Sequence, residues 1–237
     1  MSEPAGTQDR RSCIAVLGGS FDPVHHGHVA LARLFGELLQ PDALRILPAG
    51  RPWQKSALRA SDADRVAMLE LAFADVAQGL APVTIDRQEI ERSANGAPTY
   101  SVDTLRALRA ELGDETSIVF VMGADQLQRL DTWRDWRALF DLANLGVATR
   151  PGYDLATEAL PPLVAQELSA RLATPDAVRA SAHGKVCLAQ TLAVDMSASR
   201  IRAALQDGTG MNRHEDLGAL VTTQVLDYIQ QHNLYKN

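Results

Sequence analysis

Cysteine is scarce, with two in 237 residues, and that scarcity excludes a disulfide-stapled scaffold. Cys13 and Cys187 each lie inside an apolar run of strand-like length, so both read as buried thiols in a reducing compartment. An excess of positive charge is missing too: 23 Lys and Arg face 29 Asp and Glu, a net charge of −6 with a pI near 5.5. That balance leaves no footprint for a nucleic-acid polymer, although a phosphate-rich small ligand needs only a local positive pocket. No stretch reaches the roughly 18 apolar residues that span a bilayer, and the polar opening Met1 to Arg11 lacks the apolar core of a signal peptide. The expectation is a cytoplasmic protein with a frayed tail over 1–11, no membrane partner and no nucleic-acid partner. The remaining length, at 46% hydrophobic, suits a single domain over 12–237.

What the chain does have is a strand, a glycine turn and a helix in close succession. Cys13-Ile14-Ala15-Val16-Leu17 has the composition of a buried strand, and Val29 to Leu39 carries apolar residues at helical spacing. Between them stand Gly18-Gly19-Ser20-Phe21-Asp22-Pro23 and His25-His26-Gly27-His28. A helix N-terminus offers unpaired N–H groups and the positive end of its dipole, and glycines let the backbone approach a ligand closely, so this is the layout of a phosphate site. His25 and His28 are three apart and share a helical face. A glycine at 27 costs the helix about 0.8 to 1 kcal/mol relative to alanine, which calls for a local reason such as a ligand pressed against it. Taken singly, the Gly-Gly is a turn and the histidines are a solvated cluster or a metal-binding set.

Further strands are expected at Ala43–Pro48, Val83–Ile85, Ser117–Met122, Leu145–Thr149 and Val186–Ala189, alternating with helical segments as in parallel βαβ units. Ser61 or Asp62 caps a helix through Ala72, to which no chemistry is assigned, and Asp86 to Pro98 reads as charged loop. Thr99 or Ser101 is a cap for the helix Val102–Leu112, and Asp125 after the fourth strand either accepts from a ribose or caps the next turn. Trp136, Leu139 and Phe140 stand at helical spacing, with Trp136 read as core, 154–184 as a peripheral insertion with a helix across Val164 to Leu172, and Val221 to Leu234 as a packing helix. Near residue 200, Ser199 and Arg202 share a face at the start of a helix, placing a hydroxyl and a guanidinium beside free N–H groups.

The combination of residues 18–23 with 25–28 resembles the GGxFDPxHxGH signature of nucleotidylyltransferases, most closely the bacterial nicotinate-nucleotide adenylyltransferases. Met196-Ser197-Ala198-Ser199-Arg200-Ile201-Arg202 is similar to that family's second motif, with Met196 and Ala198 departing from it. The resemblance implies a Rossmann-like doubly wound parallel sheet of about five to six strands with flanking helices. It implies His25, His28 and Arg202 as catalytic groups. It implies Gly18, Gly19, Ser20, Phe21, Gly27, Lys55, Gly123, Asp125, Ser197, Ser199 and Ile201 around ATP. Ser101, Trp133 and Arg150 fall at positions that line the nicotinate nucleotide, the indole stacking on its ring. Gln54 stands where the family commonly has histidine, and Arg134 where tyrosine is frequent.

The implied reaction is transfer of AMP from ATP to nicotinate mononucleotide, with Mg²⁺ carried mainly by the ATP phosphates and no metal site in the protein. A phosphate monoester has its second pKa near 6 and attacks without a general base, so no carboxylate, Asp22 included, is assigned as one. Within the class, nicotinamide mononucleotide and phosphopantetheine are alternative acceptors. Outside it stand a non-catalytic nucleotide sensor and a metal module on His25, His26 and His28. A dehydrogenase would need Gly-x-Gly-x-x-Gly, which residues 18–23 lack. Homo-oligomerisation is left open.

Overall fold

The computed structural model describes residues 10–52, 58–74, 81–149, 160–190, 197–206 and 217–236. Lys55, Arg150 and Met196, with the neighbouring Trp53 and Gln54, lie outside the described residues. Six parallel strands form one sheet: β1 (Cys13–Gly19), β2 (Ala43–Pro48), β3 (Val83–Ile85), β4 (Ser117–Gly123), β5 (Asn144–Thr149) and β6 (Val186–Gln190). Their order is β3-β2-β1-β4-β5-β6, so the winding direction reverses between β1 and β4. Open sheets of this kind gather ligands beyond the strands' C-terminal ends at that reversal.

The strands are buried on both faces, and their alternation divides the core in two. Cys13, Ala15 and Leu17 of β1 join Leu44, Ile46, Val119 and Val121 on one side, whereas Ile14 and Val16 join Ile118, Phe120 and Met122 on the other. The first core is covered by α1 (His26–Leu39), α2 (Asp62–Ala74), α7 (Pro175–Arg179), α8 (Ala198–Gln206) and α9 (Thr223–Gln231). The second is covered by α4 (Ser101–Leu112), two 3-10 helices (Ala124–Thr132 and Trp136–Ala138), α5 (Leu139–Leu142) and α6 (Pro162–Arg171). Trp136, Leu139 and Phe140 are core, as their spacing predicts. Both cysteines are buried free thiols on β1 and β6, and burial pushes each thiol pKa up.

Three stretches differ from the sequence reading. Gln88–Ser93, expected as loop, is a short helix, α3, with no buried residue and hence no apolar period to reveal it. The described part of the expected insertion, 160–184, holds α6 and α7 and forms the crossover from β5 to β6. It drives Val164 and Leu168 into one core and Val178 into the other. Asn144 at the start of β5 ties that crossover down, its Nδ2 donating to the carbonyls of Val178 (3.2 Å) and Ser181 (2.8 Å). Finally Arg10 and Arg11, expected in the tail, reach folded elements: Arg10 donates to the Gln40 carbonyl and Arg11 pairs with Glu115 at 3.0 Å.

Candidate active site

The first loop leaves β1 at Gly19, and a Cβ there would meet the Phe21 ring at 3.0 Å. Phe21 is fully buried with φ +47, a left-handed conformation that non-glycine residues rarely hold. Its ring meets that of His28 edge to face, 4.7 Å between centroids. His25 is the extended N-cap of α1 and His28 its third residue. The His25 N–H donates to His28 Nδ1 at 3.2 Å, the His28 N–H donates to the His25 carbonyl at 2.9 Å, and the two rings stack 3.7 Å apart. Because Nδ1 of His28 accepts, the ring proton sits on Nε2, and His28 is a neutral donor at that atom. The first turn of α1 carries no acidic residue, which suits an anion at this helix end. Gly27 is buried in that turn.

His26 turns elsewhere: its N–H donates to the Leu220 carbonyl at 2.9 Å and its Nε2 lies 3.2 Å from the Gly218 carbonyl. The three imidazoles therefore do not form one ligand set. Among the described residues no group of three His, Cys, Asp or Glu side chains could hold a metal ion.

The second segment lands on the first. Ser197 caps α8, its Oγ accepting from the Arg200 N–H at 3.3 Å, and Ile201 is buried, which fixes the face that Arg202 presents. Arg202 Nη1 donates to the main-chain carbonyl of Asp22, and Nη2 donates to Ser199 Oγ at 3.1 Å. Residues 180 positions apart thus meet, and Arg202 grips the loop that leads from β1 into His25.

Asp22 and Arg65 were not placed in the site by the sequence reading. Asp22 is 3% exposed, and its carboxylate accepts from the Arg59 N–H (2.9 Å), the Ala60 N–H (3.1 Å) and the Tyr235 hydroxyl (2.8 Å). A carboxylate so engaged is not poised as a base. Arg65 is fully buried under the loop, Nη1 donating to the Ser20 carbonyl at 2.9 Å and Nη2 pairing with Asp62 at 2.6 Å. A signal existed in the sequence: Arg65 lies four and seven residues before Leu69 and Ala72, on the apolar stripe itself.

On the far side of β1, the β1–β4 register sets Leu17 opposite Val121 and brings Gly123 to the level of Gly19. A Cβ on Gly123 would lie 2.5 Å from Asp125 Oδ1, so the glycine makes room for that exposed carboxylate, which accepts from Gln126 Nε2 rather than capping the helix. Ser101 is the first residue of α4; the cap is Tyr100, without a side-chain bond, so neither Thr99 nor Ser101 caps. Instead Thr99 is buried with its Oγ1 lacking a partner among the described residues, and the Trp133 indole N–H is likewise buried without one among them. The two segments are neighbours, since Arg134 lies over the Tyr100 ring at 4.8 Å and 3.8 Å from Asp103. A separate open cavity of about 490 Å³ lies at the opposite, N-terminal edge of the sheet, where Arg45 is already paired with Glu111 and Asp86.

Residues 16–204 match the cytidylyltransferase-like family model. A probable nicotinate-nucleotide adenylyltransferase of Herminiimonas arsenicoxydans is 52% identical over 225 residues, covering 95% of this chain and 97% of the relative. A protein of the same description from Chromobacterium violaceum is 43% identical over 224 residues, 94% and 98% of the two chains. The chain belongs to the nicotinate-nucleotide adenylyltransferase family. Its fold is shared with Plasmodium falciparum nicotinic acid mononucleotide adenylyltransferase complexed with NaAD, at a TM-score of 0.71, 17% identity, and coverage of 95% of this chain and 98% of that one. The family's span, 16–204, runs from β1 through both anion segments to α8.

Proposed function

We propose that this chain transfers AMP from ATP to nicotinate mononucleotide, releasing pyrophosphate and forming nicotinate adenine dinucleotide. The observation that carries the reading is the Arg202 guanidinium bonded to the Asp22 main chain, which sets two anion-binding helix starts at one loop. An acceptor phosphate dianion attacks the α-phosphorus of ATP; one P–O bond forms to the acceptor and the bond to the β-phosphate oxygen breaks, so no proton need be removed. His25, His28 and Arg202 act as catalytic groups by donating to the α-phosphoryl and leaving oxygens, with Ser199 and Lys55 as further ligands of the ATP phosphates. Gly18, Gly19, Ser20, Phe21 and Gly27 shape the phosphate cradle, Ser197 and Ile201 hold α8, and Gly123 with Asp125 line the nucleoside. Magnesium arrives on the triphosphate as part of the substrate, since the one carboxylate inside the loop is taken up by three donors.

The acceptor's acid group is read by donors that are otherwise idle. The Thr99 hydroxyl and Trp133 indole N–H are buried without partners among the described residues, and a buried donor left unpaired costs about 1 to 3 kcal/mol. A pyridine carboxylate against them removes that cost and is preferred to a neutral amide, and Ser101 and Arg150 are assigned to the same nucleotide. The test is pyrophosphate release from MgATP with nicotinate mononucleotide, nicotinamide mononucleotide or phosphopantetheine as acceptor. Release with the nicotinate compound in at least tenfold preference is expected; equal rates with the amide would overturn the acceptor assignment, and silence with all three the reaction.

A further inference from the structure

Asp22 stands where three distant parts of the chain cross: the loop after β1, residues 59–60 before α2, and Tyr235 after α9. The loop it belongs to is not relaxed. Phe21 beside it has φ +47, and Tyr235 itself has φ +63, each in the left-handed region where a side chain is disfavoured. Such conformations persist only where surrounding contacts over-determine them. Here those contacts are the three donors on the Asp22 carboxylate, the Arg65 guanidinium on the Ser20 carbonyl and the Arg202 guanidinium on the Asp22 carbonyl.

We propose that Tyr235 is a positioning residue for the adenylyl transfer: its hydroxyl holds the Asp22 carboxylate and thereby the loop that aims His25, His28 and Arg202. The inference rests on the reaction proposed above. Tyr235 touches no substrate group itself; it is 6% exposed and its ring packs in the core with α9. What a purely packing tyrosine would not need is the hydroxyl, which is turned inward to Asp22 Oδ1 at 2.8 Å. Two oxygens then divide the work. Oδ1 takes Tyr235 and Ala60, and Oδ2 takes Arg59 and faces Arg202 Nη1 at 3.9 Å, so a shift of the carboxylate is felt at the guanidinium that grips the loop. The segment after α9 thus reaches back to a carboxylate 213 residues earlier.

Tyr235→Phe keeps the ring and deletes only the hydroxyl. At a folded fraction matched to wild type by far-UV circular dichroism, kcat should fall about tenfold, the scale of one hydrogen bond to a charged acceptor, while KM for ATP and for nicotinate mononucleotide stays within about twofold. In an Asp22→Asn background the same substitution should lower kcat by less than about threefold, because the amide oxygen that remains is a weaker, uncharged acceptor. A folded Tyr235→Phe enzyme with wild-type kcat, or an equal tenfold loss in the Asp22→Asn background, overturns the proposal. Asp22→Asn alone serves should Tyr235→Phe fail to fold: it is expected to lower kcat with KM kept, and full activity would equally sink the idea. Wild-type activity in the same assay separates the two readings, since a silent wild type refutes the reaction, whereas an active wild type with an indifferent Tyr235→Phe refutes only the positioning role.

Discussion

At the scale of single residues, the site is defined by where protons are held rather than by which groups titrate. His28 is an Nε2–H donor because its Nδ1 accepts from the His25 main chain at 3.2 Å, and a donor fixed before the substrate arrives needs no reorganisation during the reaction. His28→Ala should therefore lower kcat by about 10² to 10³, the usual loss for one such donor. The fold should survive, because the ring is only half-buried and its capping contact is worth about 1 kcal/mol. Steady-state kinetics with a parallel melting curve decide it, and turnover within threefold of wild type would remove His28 from the mechanism. Thr99 gives a prediction of opposite sign for the empty enzyme. Thr99→Val deletes a buried hydroxyl that has no partner among the described residues, so the variant should melt at the wild-type temperature or above it. The same change should cost about tenfold in kcat/KM for nicotinate mononucleotide, and little for the amide. A destabilised Thr99→Val would show that the hydroxyl serves the fold instead.

At the scale of elements, α2 holds the loop from beneath, and its first turn is built from side chains. Ser61 Oγ accepts from the Asp64 N–H at 3.1 Å and donates back to Asp64 Oδ2 at 2.6 Å, while the Tyr228 hydroxyl on α9 donates to Asp64 Oδ1 at 3.0 Å. The hydrogen bond from Ser61, against some desolvation, holds the Asp64 carboxyl pKa below its ordinary value. A carboxyl pKa lowered by folding adds stability that is fully present above the unfolded value, about 3.9, and is lost as pH falls through the folded one. Asp64→Asn should therefore lower the melting temperature at pH 6, and the gap should close toward pH 3; a gap that persists there would place the effect elsewhere. Elements of this kind were legible to very different degrees. All six strands could be read because each is short, apolar and bounded by turn residues, and β2 and β3 fall where expected. Helix α3 could not, since none of its residues is buried, and neither could α7, which buries only Val178, whereas α6 falls on the helix expected across Val164 to Leu172. The histidine loop and the Ser199–Arg202 face were visible because each is local. The Asp22–Tyr235 bond was not, because it joins residues 213 apart through nothing but the fold.

At the scale of the whole molecule, the site sits at the reversal between β1 and β4, so its geometry depends on how rigidly the β4–β5–β6 half is held together. Arg109 does much of that holding. Nearly buried on α4, it donates to the carbonyls of Gly113 (2.8 Å) and Thr116 (2.7 Å) before β4, of Leu142 (2.7 Å) before β5, and of Ala182 (2.9 Å) before β6. Burial pushes the guanidinium pKa down, with Asp114 opposing, yet an arginine remains charged and each of these carbonyls keeps a strong donor. Arg109→Met would leave these carbonyls unsatisfied at the entrances of three strands and should cost about 3 to 5 kcal/mol, which for a chain of this size lowers Tm by roughly 6 to 20 °C. Arg106, one turn earlier on the same helix, supplies the control. It pairs with Asp103 and Asp135 in solvent, its side chain 48% exposed, and Arg106→Met should cost less than about 1 kcal/mol. Thermal melts of the two variants test the contrast, and equal shifts would sink it. Below both melting temperatures Arg109→Met should keep the wild-type KM for both substrates, because the residue anchors strand entrances at the edge of the sheet opposite the chemistry and touches none of the groups that would bind them.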